Sequence, residues 1–80
     1  MMFSKKNKVH SYNSRNYDLT ETKDFNEFYD LVDIINEFDF AIEKMMILYT
    51  MDGKQKANLH IETKEEVIEI WLRKHGFEEA

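Results

Sequence analysis

The chain predicts a small α+β domain in the order (β)-α-β-β-α: an antiparallel β-hairpin packed by two helices, with an N-terminal segment as a third strand. Three observations predict it. Asp52-Gly53 stands between two alternating runs, residues 44–51 and 54–61, the sequence form of a two-residue hairpin loop. Apolar residues recur at helical spacing between Phe25 and Ile35. Residues 63–76 carry their own helix start and stop signals.

With Asp52 and Gly53 as the loop, the pairing can be written out. Met51 faces Lys54, Leu48 faces Ala57, Met46 faces Leu59 and Lys44 faces Ile61. Met46, Leu48, Ala57, Leu59 and Ile61 then share the core face. Met45, Ile47, Tyr49 and Met51 fall on the other face, beside Lys56, Asn58 and His60. A contiguous apolar row on an outer face marks a contact surface. Ala41, Glu43, Lys44, Met45, Met46 and Leu48 are also good helix formers, so the hairpin rests on the apolar match across the loop rather than on propensity.

Ahead of the hairpin, Phe25, Phe28, Val32 and Ile35, flanked by Leu31 and Phe38, mark the buried face of a first helix. Thr20 or Thr22 is placed to cap it, and Asp24 lies in the first turn, where the helix dipole favours an anion. Asn26, Asp30, Asp33 and Glu37 fall together on the opposite face, an acidic stripe. In the second helix, Thr63 and Glu66 have capping-box spacing, and Val67, Ile68, Ile70, Trp71 and Leu72 form a broad apolar face with Trp71 at its centre. Arg73, Lys74 and His75 suit the last turn. Gly76 is the expected left-handed stop, with Phe77 packed back in a Schellman motif.

Eighty residues hold one domain, and a chain of this size buries only about 60% of its unfolded surface, so its stability margin is thin. Charge is divided unevenly. Residues 1–17 carry +4 and the remainder −9, for a net −5. Residues 1–16 read as a basic flexible arm and residues 17–80 as the domain, with 9–12 and 17–19 as candidate edge strands anchored by Tyr12 and Tyr17. With no cysteine, no disulfide framework or thiolate metal site is expected, and a reducing, cytoplasmic setting is favoured. No apolar stretch is long enough to span a bilayer, so no membrane association is expected.

Catalytic motifs are missing. Ser4, Ser11 and Ser14 have no nucleophile setting, and His10, His60 and His75 lack metal-ligand spacing. His60 is a candidate ligand of a metal site completed by Glu43 or Glu62, and its ordinary reading, which is preferred, is a half-exposed strand residue. No cofactor or metal is expected. The surfaces point instead to a non-enzymatic protein-protein interaction module, whose acidic residues Asp30, Asp33 and Glu37 and apolar row Met45, Ile47, Tyr49 and Met51 bind a protein partner with a basic surface. Two alternatives stand beside it. One is nucleic-acid binding through Lys5, Lys6, Lys8 and Arg15 with Tyr12 and Tyr17 as stacking rings, opposed by the acidic body. The other is a homodimer built on the apolar row. In size, acidity and lack of chemistry the chain resembles the small early proteins of bacterial viruses that inhibit host machines, including anti-CRISPR proteins and DNA mimics. That likeness is compositional and transfers no site residue; it implies an inhibitor or regulator of a nucleic-acid-handling enzyme.

Overall fold

The computed structural model of the chain describes residues 8–50 and 56–80. In chain order the elements are strands β1 (His10–Asn13) and β2 (Tyr17–Asp18), helix α1 (Thr22–Asn36), a 3-10 turn (Asp39–Ala41), strands β3 (Lys44–Tyr49) and β4 (Lys56–Thr63), helix α2 (Glu66–Lys74) and strand β5 (Glu78–Glu79). The α+β class is as expected, with a larger sheet.

Strand β4 is the spine of that sheet. One of its edges pairs antiparallel with β3, and the other pairs with β1 and then with β2. Strand β5 adds to the far side of β1. The two segments expected as edge strands therefore both pair, but β1 is an interior strand and Tyr12 is fully buried. The sheet thus reaches into residues assigned to the arm; residues 1–7 lie outside the described part.

Between β1 and β2 the ladder slips by one. Asn13 lies opposite His60 and Tyr17 opposite Ala57, so Ser14, Arg15 and Asn16 stand against Asn58 and Leu59, a two-for-one bulge. Ser14 closes the gap. Its N–H donates to Leu59 O at 2.9 Å, and its hydroxyl accepts from Leu59 N–H at 2.9 Å. A buried backbone group at a break in a ladder needs such a partner.

The register of β3 on β4 corrects the expected hairpin. Leu48 faces Asn58, Met46 faces His60 and Lys44 faces Glu62, while Tyr49, Ile47 and Met45 face Ala57, Leu59 and Ile61. The slip of one residue turns every β3 side chain to the other face. Met45 and Ile47 therefore go under the helices, and Met46 and Leu48 go out, 38% and 41% exposed. Because β3 is apolar on both faces, hydrophobic pattern does not choose between the two registers. Lys44 does. The expected register puts its ammonium group on the core face against Ile61, whereas the observed one sets it on the outer face opposite Glu62. Asp52-Gly53, expected as the loop, lies outside the described residues; the described pairing extends to Thr50 N–H, which donates to Lys56 O.

Both helices lie on one face of the sheet. Phe28, Leu31 and Ile35 from α1 and Ile68 and Leu72 from α2 join Tyr12, Tyr17, Ala57, Leu59, Ile61 and Phe77 in one core. Phe25, expected inward, is exposed and stacks at a tilt on Tyr29, 4.9 Å away. Neither Thr20 nor Thr22 caps α1, which starts after Glu21 without a side-chain cap. The local bonding goes elsewhere: Asp18 accepts from the Thr20 N–H and hydroxyl at 3.0 and 2.6 Å, and Asp24 accepts from Asp18 N–H at 2.9 Å.

The expected capping box of α2 is absent. Thr63 is the last inward residue of β4, fully buried, and its hydroxyl donates to Ala41 O at 2.6 Å and accepts from Glu65 N–H at 3.0 Å. The helix starts after Glu65. Its far end is as expected: Gly76 has φ of 87°, and Phe77 N–H donates to Leu72 O at 2.9 Å while Gly76 N–H donates to Arg73 O at 3.2 Å, the Schellman pair. Trp71 is a half-buried flank rather than the centre. It meets Phe38 edge-on at 5.1 Å and stacks on His75 at 3.8 Å, while Leu72 and Ile68 hold the core.

Candidate functional site

The acidic stripe survives the folding of the chain intact. Because Phe28, Leu31 and Ile35 turn inward, helical spacing leaves Asp30, Asp33 and Glu37 on the solvent side of α1, and all three are exposed. Among the described residues none of them joins an ion pair. The first turns of α1 differ. Arg15 lies over the Tyr17 ring at 3.8 Å and reaches Asp24 at 3.4 Å and Glu27 at 3.5 Å. The Asp18 N–H, then Arg15, holds the Asp24 carboxyl below the usual carboxylate range. Arg15 is thereby committed to the protein's own anions.

At the foot of the stripe lies a groove of about 380 Å³ between α1 and the end of α2. Tyr17 and Leu31, both buried, form its floor, and Ile34, 43% exposed, forms a wall. Lys23, Glu27, Asp30 and His75 complete the lining. Asp30 therefore belongs to both features, and Ile34 follows it by one helical turn.

The expected apolar row does not form. Met45 and Ile47 are turned into the core layer, and Tyr49 bonds the hydroxyl of Tyr29 on α1, which pushes the Tyr29 hydroxyl up. Met51 lies outside the described residues. In their place the helix-free face of the sheet carries Met46 and Leu48 beside His60 and Asn58. This face and the acidic stripe lie on opposite layers of the fold, so the two halves of the expected contact surface are not brought together.

His60 and Glu62 do meet. His60 Nε2 lies 2.9 Å from Glu62 Oε2, and His60 Nδ1 lies 2.8 Å from Asn13 Oδ1. The imidazole bond holds Glu62 below its ordinary range. Glu43 does not join them, and among the described residues no three His, Cys, Asp or Glu side chains are grouped to hold a metal. Of the basic candidates, Lys5 and Lys6 lie outside the described residues, Lys8 is exposed, and Arg15 is held as above. No described helix is long and apolar enough to cross a membrane.

One polar cluster escaped the sequence reading. Glu69 of α2 is 8% exposed, and its Oε1 accepts from the Tyr12 hydroxyl at 2.6 Å and lies 3.0 Å from His10 Nδ1. Arg73 donates to the Tyr12 hydroxyl at 2.8 Å, and His10 also stands 3.5 Å from Glu79. Burial and the Glu69 carboxylate push the Tyr12 hydroxyl up to about 12. Every described buried side-chain polar atom has a partner, so the cluster is a closed tie from α2 to β1 and β5. Its signals are present in the sequence, in the i,i+4 spacing of Glu69 and Arg73 and the alternation of His10 and Tyr12. Ser14, with its hydroxyl spent on the bulge, offers no nucleophile.

Comparison with protein-family models, curated proteins and solved structures found no match to this chain.

Proposed function

We propose that the chain is a small non-enzymatic interaction module whose α1 face binds a partner protein with a basic surface and so inhibits or regulates it. The observation that carries this reading is the row Asp30, Asp33 and Glu37, solvent-facing, without described counter-ions, and bordered by a groove with an apolar floor. Unpaired carboxylates steer a cationic surface by long-range attraction, and an adjoining apolar recess adds short-range complementarity that charge alone lacks. Enzymes that grip nucleic acid present cationic surfaces of that kind, which fits the compositional likeness to viral inhibitors.

The homodimer reading retains one specific support, the exposed Met46 and Leu48 on a strand whose only described neighbour is β4. Nucleic-acid binding is less favoured, because Asp24 and Glu27 already occupy Arg15.

The test is charge reversal. A protein retained from source-cell extract by the wild-type chain and released by raising salt should be lost with Asp30→Lys combined with Asp33→Lys. Equal retention by wild type and variant would remove α1 from the interface.

A further inference from the structure

The groove beside α1 bears on what the partner must present, and the inference drawn from it rests on the reading above. We infer that the groove seats one large apolar side chain, of Leu to Phe size, from a basic segment of the partner, whose neighbouring Lys or Arg residues then lie along Asp30 and Asp33.

The recess is built before any partner arrives. Its floor residue Tyr17 is held by the tilted Phe28 ring at 5.4 Å and by the Arg15 guanidinium over its own ring at 3.8 Å. Leu31 is part of the core. A floor fixed in this way does not have to be ordered on binding, and such pre-organisation favours affinity. At about 380 Å³ the space lies near the lower end for ligand clefts and has ample room for a large side chain.

Charge gives the occupant its polarity. Arg15 already serves Glu27 at 3.5 Å, whereas Asp30 has no described ion-pair partner, and Asp33 continues the stripe beside Ile34. Lys23 is the cation of the lining. A cationic segment is therefore repelled at the Lys23 end and drawn along the Asp30 and Asp33 side, while an acidic segment meets carboxylates on the rim. The apolar residue of the segment falls beside Ile34, the half-exposed wall.

Two synthetic peptides of about ten residues, Lys/Arg-rich with one central Phe or with Ser in its place, serve as probes in NMR titrations of the full chain. The Phe peptide should bind at least about tenfold more tightly than the Ser peptide, as expected for burying one large apolar side chain. Amide shifts should move at Tyr17, Leu31, Ile34 and His75. Ile34→Ser should erase the preference for Phe without weakening the Ser peptide, and Ile34→Trp, which fills the recess, should do the same. Asp30→Lys with Asp33→Lys should weaken both peptides. Equal binding of the two peptides would overturn this inference and leave the acidic-face reading standing, whereas no binding of either at low salt would overturn both. Shifts confined to Met46, Leu48 and His60 would also overturn it. So would a rise in affinity on deleting residues 1–8, since the chain's own basic arm would then be the occupant.

Discussion

Replacing Tyr12 by Phe removes one hydroxyl from a fully enclosed site and leaves the ring in place. Glu69 then loses its 2.6 Å donor and keeps His10 and Arg73, while Arg73 loses the Tyr12 hydroxyl and keeps Glu69 at 3.5 Å. A buried carboxylate deprived of a hydrogen bond costs about 1–3 kcal/mol, a sizeable part of the 5–15 kcal/mol that holds an ordinary domain. The pH dependence is more specific than the magnitude. With the Tyr12 hydroxyl pushed from its ordinary value near 10 up to about 12, the unfolded chain releases the proton first as pH rises. The stability tied to that proton is complete below pH ~10 and is lost as pH climbs through ~12. Each unit corresponds to ~1.4 kcal/mol, so the wild type should lose roughly that much between pH 9 and 11, a loss the Phe variant lacks. Urea unfolding followed by Trp71 fluorescence at pH 7, 9, 10 and 11 measures it. Tyr17 and Tyr29 are also pushed up, but they titrate in both proteins and cancel in the difference. The gap between wild type and variant should therefore narrow by ~1.4 kcal/mol at pH 11. A gap that stays constant from pH 9 to 11 would refute the Tyr12 to Glu69 bond.

Two further substitution pairs test the fold. Ile47→Ala should cost about 2 kcal/mol and Met46→Ala less than about 0.5 kcal/mol, by thermal or urea midpoint; the reverse order would restore the two-residue hairpin register. Thr63→Val should cost about 1–3 kcal/mol, because Ala41 O and Glu65 N–H lose a buried partner, while Glu66→Ala should be nearly silent. A large loss at Glu66 would return Thr63 to the role of a helix cap.

What could be read from the sequence was whatever depended on a single local signal. Gly76 ends α2 because only its backbone accepts φ of 87° without strain, and no distant residue competes for that choice. The acidic side of α1 was legible for the same reason, since helical spacing alone places Asp30, Asp33 and Glu37. Thr63 shows where local reading stops. Its spacing to Glu66 satisfies the capping rule, yet it is also the fourth inward position of an alternating strand, and a carbonyl from residue 41 claims its hydroxyl. Strand β3 failed differently, because Met45, Met46, Ile47 and Leu48 satisfy either register, and Lys44 decides between them. The groove at Ile34, and the joining of the two half-signals His10/Tyr12 and Glu69/Arg73 into one tie, could not be read for a third reason. Each is assembled from segments that only the finished sheet brings together.

The place of β1 beside β4 has a consequence for how the molecule is made. Ser14 and Leu59 are 45 residues apart in sequence, yet each satisfies the other's backbone. On a ribosome adding about 5–20 residues per second, β1 waits roughly 2–9 s for the strand that receives it. During that interval Tyr12 and Tyr17 have no sheet to enter, whereas β3 meets β4 almost as soon as β4 is made. A strand made before β4 is thus locked only after it, and the speed of translation through residues 20–56 sets how long its aromatic rings stay open to chaperones.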